Sequence, residues 1–517
     1  MTSTLDSLDG ARRARPFAYL CRAGAAFATA AAAFGLAPKA LATTPTQADT
    51  VTNSYNTAFY VLSGSNGYYA LDTTKSKAPG SVSWTQAEEI EMLLDAYDRS
   101  LNSSYLTMVT QMINNFVKVS GTLWTSDIYN DDILWMTLAC ERAYLATGNS
   151  TFLNYAQTNF DAVYSRGYDS TLGGGIWETT LKKSKTSAAN GPGIISACNL
   201  YQILGTSSYL TKAQNIYAWE RATIYDATKG KIYDNISASG TLNTVSLTYN
   251  QGTFLGAANA LYNITGTASY LNDATLMASY AQNTICTNGI LPQYSTTGDF
   301  GGFNGIFLRW MSTFATDQKL WPNYFDWLDQ NAELAWSSCR SSDGLCWDDW
   351  STPTASGTLQ SWACSDAVVM LNVIPPLFEP DTLTVPSYVG PDYRIVADTN
   401  FRDGQGVILD STAVGNNIVF LLPNVSARKY DVRVAVKKLN TRGIFQLAIG
   451  QAGNNSPNNM GSPQDLYSAS AQYVELDLGT WQPATTTDKW FWFKITGKNA
   501  ASTGYSECID YIKLIPQ

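Results

Sequence analysis

The chain contains no histidine. That absence removes Ser-His-Asp and Cys-His nucleophile systems, and every histidine-ligated metal site, from consideration. Any chemistry is left to Asp, Glu, Lys, Tyr or Cys. Charge is also scarce: 15% of the 517 residues are charged, and the net charge is −9. This is the wrong sign for a nucleic-acid backbone or an anionic membrane surface. No run beyond the N-terminal region is long and apolar enough to span a bilayer, and no hydrophobic C-terminal tail signals a lipid anchor. Neither nucleic acid nor membrane is therefore expected as a partner. Cysteine is sparse, eight in all with no CxxC spacing, so no metal centre and no cofactor is expected.

What is present falls into three textures. The N-terminus carries ARRARPF (11–17), then AGAAFATAAAAFGLA (23–37), then ALA at 40–42. A basic region, a short apolar run and a small-x-small site form a secretory signal, with cleavage expected after Ala42 and an extracellular location to follow. Secretion permits disulfides, and Cys339, Cys346 and Cys364 lie close together in a loop-rich stretch, so one bridge among them is expected. Cys140 and Cys198 sit inside apolar helical patterns and read as buried small hydrophobes.

The second texture is a repeat. AYDRSLNSSYL (96–106), AYLATGNSTFL (143–153), LYQILGTSSYL (200–210) and LYNITGTASYL (261–271) each end one apolar helix, turn through small polar residues and start another. Gly at such a turn supplies a left-handed cap, and Asn, Ser or Thr caps the next helix. The turns at 101, 148, 205 and 266 are 47, 57 and 61 residues apart. That separation holds a helical hairpin, and residues 43–374 have room for about six of them, which can close into a toroid with inner and outer rings. The third texture begins after Val373. A proline-rich stretch (375–391) reads as a linker, and alternating segments such as YDVRVAVKKL (430–439) and WFWFKITG (490–497) read as antiparallel strands of a smaller sandwich over 392–517, of jelly-roll type. The expected fold is thus mainly α, an (α/α)6 toroid followed by an all-β unit.

One stretch of the helical region stands out. In YNDDILWMTLACERAYL (129–145), Asp131 and Asp132 are adjacent at the start of an otherwise apolar helix. Carboxylates there favour the positive end of the helix dipole, so a plain capping role uses the same residues. A calcium site would need a spaced ladder of carboxylates, which the stretch does not have. Aromatics crowd the pair, with Trp124, Tyr129 and Trp135 nearby, and amide-bearing loops recur before other helices: GGGIWETTLKKSKTSAANGP (173–192), TYNQG (248–252) and GGFNGIF (301–307). Together these suggest a sugar cleft, with Trp135, Trp177, Asn190, Gln251 and Asn304 as candidate substrate contacts.

YNDDILW, GGGIW, AANGP, YNQGTFLGA and FNGIFLRW, in that order over roughly residues 50–375, resemble glycoside hydrolase family 76, the endo-α-1,6-mannanases and their fungal cell-wall relatives. The resemblance implies an (α/α)6 fold and a retaining mechanism on mannan, with Asp131 as nucleophile and Asp132 as general acid/base. A departure is visible at Glu178, where many members carry a second aromatic after GGGIW. The expected activity is hydrolysis of an α-1,6-mannan backbone; a transglycosidase acting on wall mannan or glycolipid-anchor glycans, and a non-catalytic glycan-binding protein, are the alternatives. GYSECIDYIKLIP (504–516) is similar to the last strands of carbohydrate-binding modules, which implies a glycan-binding role for the sandwich.

Overall fold

Chain geometry at the repeat turns decides the helical architecture. The computed structural model describes residues 43–80, 84–295 and 298–517, so the expected signal segment 1–42 lies outside the described residues. Within them lie twelve α-helices: α1 (Pro45–Phe59), α2 (Trp84–Ser100), α3 (Ser103–Ser120), α4 (Asn130–Thr147), α5 (Ser150–Gly167), α6 (Ser187–Leu204), α7 (Ser207–Thr223), α8 (Thr248–Thr265), α9 (Ala268–Tyr280), α10 (Phe303–Asp317), α11 (Trp321–Ser338) and α12 (Ser365–Val373). Gly148, Gly205 and Gly266 end α4, α6 and α8 at φ near +70°, each donating its N–H to the carbonyl four residues earlier. At the first turn Leu101 takes φ 56° instead, and Asn102 accepts the Ser104 N–H to start α3.

The even-numbered helices pack on one another in sequence, α2 on α4 and so on to α12, and α12 returns to α2. The odd-numbered helices lie outside them. α3, for example, buries only the stripe Tyr105, Val109, Met112, Ile113 and Phe116, the spacing of a helix with one covered face. α4, by contrast, is buried nearly all round from Asn130 to Ala143. α1 packs against α12, so the sixth hairpin is assembled from the two ends of the helical region.

The space enclosed by the even helices holds charge as well as hydrocarbon. Glu88, Glu91 and Asp95 of α2 all pair with Arg309 of α10, and Glu91 and Asp95 also pair with Arg142 of α4. Arg309 is 4% exposed, and breaking a buried pair of this kind by removing one partner costs about 3–5 kcal/mol.

The β-rich region comprises two antiparallel sheets. One runs in the order 393–397, 405–409, 507–516, 430–438, 472–481, and the other 458–465, 444–451, 487–497, 417–425, 387–389. Their facing sides meet in a core that includes Val432, Val434, Ile512 and Leu514 from the first and Phe420, Phe445, Phe491 and Phe493 from the second. The stretch 375–391, expected to be a linker, is instead built into both sheets. Leu377–Phe378 pairs with the strand Glu507–Pro516, and Ser387–Val389 pairs with Asn417–Val425. Its prolines leave segments of two and three residues, too short for alternation to show in the sequence.

The first sheet seats on the helices. Ile515 joins the helical core, the Lys513 ammonium lies 4.2 Å from the Phe325 ring of α11, and Arg402 pairs with Asp329, Glu333 and Glu379. The disulfide joins Cys339 and Cys346, and Cys364 is a buried free thiol.

Candidate active site

The hairpins leave their two ends unequal. Four of the connections from an even helix to the next odd one are two residues long: 101–102, 148–149, 205–206 and 266–267. The connections that lead into the even helices are long, as at 121–129, 168–186, 224–247 and 339–364. Variable chain is therefore gathered at one end of the ring, above the N-termini of the even helices, where free backbone N–H groups and the positive end of each dipole also point.

Asp131 and Asp132 stand in the first turn of α4 at this end. The helix begins without a side-chain cap, because Tyr129 supplies none; its first N–H, from Asn130, donates to the Glu178 carbonyl at 2.7 Å. Asp132 is 2% exposed, and its Oδ1 accepts the Trp84 N–H at 3.2 Å. Asp131 is half-buried, yet its Oδ1 is shielded from solvent without a hydrogen-bond partner. Burial first, then the charges of Asp132 and Glu178, push the Asp131 carboxyl well above the usual carboxylate range. Repulsion between neighbouring carboxyls of this kind lets the pair retain a proton near neutral pH.

Around the pair, the same end of the ring supplies residues the sequence reading did not single out. Trp84 opens α2 and stands edge-on to Trp362 with ring centroids 4.5 Å apart. Phe303, at the start of α10, packs against Tyr249 at 4.6 Å and Trp84 at 5.9 Å. Asp234 accepts the Tyr249 hydroxyl at 3.2 Å and the amides of Asn235 and Asn243 at 2.7 and 2.9 Å. Trp84, Glu178, Asp234 and Tyr249 are all partly exposed. This is a set of aromatic faces and carboxylates of the kind that grips sugar rings by their C–H faces and hydroxyls. Its members come from five separate stretches, at 84, 178, 234–249, 303 and 362, so no single sequence window contains them.

The residues expected to touch substrate are placed differently. Asn190 is fully buried: its Oδ1 accepts the Ile176 N–H at 2.7 Å, and its amide donates to the carbonyls of Ile176 and Thr186 at 2.9 and 2.8 Å. Gln251, equally buried, accepts the Ile232 N–H and donates to the Gly230 carbonyl, both at 2.9 Å. Asn304 accepts the Thr248 hydroxyl at 2.9 Å and donates to the Pro292 carbonyl at 3.0 Å. Trp177 is 2% exposed, with its indole N–H on Asp169 at 2.8 Å and the Lys185 ammonium 4.7 Å from its ring. Trp135 is 3% exposed within the helical core. These five are corrected to structural roles, since the polar groups of the first four are already spent inside the protein and Trp135 faces the core.

The amides in fact clip the long connections to the helix starts, and the residue after each is glycine for a separate reason. A Cβ on Gly191 would lie 2.9 Å from Thr253, one on Gly252 2.5 Å from the Phe307 Cα, and one on Gly305 2.9 Å from Asp366. Each of these helices thus approaches the next even helix closely at its own first turns. What looked in the sequence like recurring sugar-binding amides is the device that closes the ring.

Residues 43–378 match the sequence profile of Glycosyl hydrolase family 76. The chain belongs to that family. Among curated relatives, a mannan endo-1,6-alpha-mannosidase, DCW1 of Candida glabrata, is 28% identical over 223 residues, which span 38% of this chain and half of that protein's length. Among solved structures, the family 76 alpha-1,6-mannanase of Salegentibacter sp. HEL1_6 is 26% identical with a TM-score of 0.59, covering 64% of this chain and 98% of that one. An inactive variant of that mannanase, with two consecutive aspartates replaced by asparagine, has been solved with alpha-1,6-mannotriose and gives the same TM-score, identity and coverage. The family 76 mannosidase of Bacteroides thetaiotaomicron, at 20% identity and a TM-score of 0.54 over 64% of this chain, shares the helical fold of the family 76 chain described here.

Proposed function

We propose that this family 76 protein is a secreted endo-α-1,6-mannanase with an (α/α)6 toroid as catalytic unit and a jelly-roll sandwich that binds glycan. The observation that carries the catalytic reading is the pair of consecutive carboxyls in the first turn of α4, one of them held well above the usual carboxylate range. The ring of contacts from α2 through α12 and back supports the toroid. Secretion rests on the N-terminal sequence alone.

The proposed chemistry is a double displacement. Neighbouring residues on a helix diverge by about 100°, which permits carboxyl groups the roughly 5–5.5 Å apart that retention uses, where inversion needs about 6.5–9.5 Å to admit a water. Asp131 attacks the anomeric carbon as Asp132 gives its proton to the departing glycosidic oxygen. The C–O bond breaks, a mannosyl ester forms on Asp131, and the shortened chain leaves. Asp132, now a carboxylate, takes a proton from water, whose oxygen attacks the same carbon and releases a sugar of the original anomeric form.

A second reading exchanges the two roles, and a specific observation favours it. Burial and the charges of Asp132 and Glu178 raise the Asp131 carboxyl in the resting protein, against the pull of the backbone N–H groups at the head of α4, and a carboxyl that holds its proton at rest suits the acid/base role. Azide rescue separates the two with an activated mannoside. Loss of the nucleophile yields a β-mannosyl azide, and loss of the acid/base yields an α-mannosyl azide. An α-azide from the Asp131→Ala protein and a β-azide from the Asp132→Ala protein would reverse the assignment.

The experiment that tests the function is incubation with linear α-1,6-mannan beside α-1,2/1,3-branched mannan, with the first product followed by NMR. Endo cleavage of the linear chain with an α-configured first product is expected. A β-configured first product would refute retention, and longer chains in the presence of an acceptor sugar would establish the transglycosidase alternative. Asp131→Asn and Asp132→Asn should each abolish turnover in a folded protein; full activity in either would remove the pair from catalysis and revive the glycan-binding alternative.

A further inference from the structure

The helical region is fastened at a residue that precedes α1. Thr43 is 2% exposed, and its carbonyl accepts the N–H of Leu377, from the other end of that region, at 3.0 Å. Thr44 follows as the N-cap of α1: its N–H donates to Gln47 Oε1 at 2.7 Å, and its hydroxyl accepts the Gln47 N–H at 3.3 Å. The Thr43 hydroxyl donates to Oδ1 of Asp329 on α11 at 3.1 Å. Asp329 is fully buried, and its other oxygen pairs with Arg402. The same guanidinium serves Glu333 and Glu379, at 2.9 and 2.8 Å. Three carboxyls thus share one guanidinium, while Oε2 of Glu379, a residue 2% exposed, is shielded without a hydrogen-bond partner. Carboxyl oxygens of Glu379, Asp381 and Asp403 lie within 4.8 Å of one another.

Cleavage after Ala42 makes Thr43 the first residue of the chain. We propose that the Thr43 α-ammonium created by that cleavage is a second cation of this carboxyl cluster, and that it locks α1 to α11 in the processed protein. The inference rests on the secretory reading of the N-terminal sequence. A signal peptidase adds water across the Ala42–Thr43 amide: the C–N bond breaks, Ala42 leaves as a carboxylate holding the water oxygen, and both water hydrogens end on the Thr43 nitrogen. Before cleavage that nitrogen is a neutral amide. It stands three bonds from the hydroxyl oxygen, at most about 4 Å away, and therefore within about 7 Å of the Asp329 carboxylate, less than a Debye length in physiological salt. The charged groups facing it are Asp329 and Glu333 on α11, Glu379 and Asp381 in the stretch 375–391, and Arg402 and Asp403 from the sandwich. Burial and the charges of Asp403, Asp510, Asp381 and Glu333 push Glu379 up to about 10, the mark of a site short of positive charge.

An ammonium that gains carboxylate partners titrates above its unfolded value of about 7.7–8.0. Its stabilisation is complete below that value and is lost as the pH rises through the folded one. Two chains test this, one beginning at Thr43 and one retaining the native residues 40–42. At about pH 6.5 the first should melt a few degrees higher, and the margin should vanish by about pH 10. Asp329→Asn, made in both chains, should remove most of the margin at the lower pH. Where Asp329→Asn does not fold, periodate reads the same site, since it cleaves the 1,2-amino alcohol of an N-terminal threonine. It should attack Thr43 at least ten-fold more slowly in the folded chain than in urea. Equal melts at both pH values, a margin that does not change with pH, or a Thr43 as reactive folded as unfolded would overturn the proposal. Mass spectrometry of the protein exported with its own N-terminus separates the two premises: a first residue other than Thr43 overturns the proposal through the cleavage, and the melts overturn it through the ion pair.

Discussion

Replacing Asn190 by alanine separates the two meanings that its position at the start of α6 could have. As a substrate contact, its loss would raise KM and leave the fold alone. As the clip described above, its loss removes three hydrogen bonds that are 2.7–2.9 Å long and fully shielded from solvent. A buried hydrogen bond contributes about 1 kcal/mol net, and a buried group left unpaired costs about 1–3 kcal/mol. The Ile176 N–H has no other partner to turn to in a dry site, whereas the carbonyls of Ile176 and Thr186 lose one donor each. The expected destabilisation is therefore about 3–4 kcal/mol, near the upper end for a single substitution. Chemical denaturation followed by tryptophan fluorescence should show an earlier first transition, and KM measured at low temperature should stay within about two-fold of wild type, a change worth under 0.5 kcal/mol. Asn190→Asp should fare no better, because a carboxylate accepts the Ile176 N–H but sets a negative charge against two carbonyl oxygens. An unchanged denaturation midpoint with a ten-fold rise in KM would refute the reasoning and return Asn190 to the substrate.

Gly252→Ala should destabilise the helical region by about 1–3 kcal/mol or more, since its Cβ would sit 2.5 Å from the backbone of Phe307; a melting temperature equal to wild type would contradict the close approach. Glu220 is fully buried with neither carboxyl oxygen partnered, and burial raises it well above 4.5. Folding therefore favours its protonated form, and the penalty is absent below the unfolded value and grows as the pH climbs toward the folded one. Glu220→Gln should stabilise the protein at pH 7 by up to about 3 kcal/mol and have little effect at pH 4, as read by melts at the two pH values. Lys185 is fully buried, and its ammonium donates to the Asp169 carboxylate and to the carbonyls of Asp169, Thr171 and Gly174. Lys185→Met leaves those acceptors unpaired and should cost about 3–5 kcal/mol; a neutral effect in denaturation would show that the loop 168–186 does not depend on it.

The helical hairpins were legible because their turns use a few residue types for local reasons: glycine to adopt positive φ, asparagine to hold the next N–H. The fifth turn, at 318–320, escaped because Lys319 takes the left-handed position at φ 57°, where a lysine carries no signal. The sixth escaped because α1 and α12 are separated by most of the helical region and meet only in space. Asp131 and Asp132 were legible as a pair since charge at the head of an apolar helix is conspicuous. The amides misled for a physical reason. An asparagine that satisfies a loop backbone and one that binds a sugar hydroxyl present the same residue beside the same glycine. What distinguishes them is whether the amide is already saturated, and that depends on loops folding back from 12 or more residues away, as Pro292 does to Asn304 and Ile176 to Asn190.

The same distinction explains why three carboxyls can coexist at the head of α4. A helix N-terminus offers about half a unit of positive charge, enough to favour one carboxylate and insufficient for Asp131, Asp132 and Glu178 together in a partly dry setting. The Trp84 N–H donates to one oxygen of Asp132, the Ser184 hydroxyl donates to Glu178, and backbone N–H groups at the head of α4 lower Asp131. Burial and the neighbouring charges outweigh those donors at Asp131, whose carboxyl stays well above the usual carboxylate range. In the reaction proposed above, a substrate that sets its reacting carbon, with positive charge developing on it, against Asp131 would favour the ionised form at the moment of bond breaking. On that reading the interaction strengthens in the transition state rather than in the resting protein, which is the condition for catalysis.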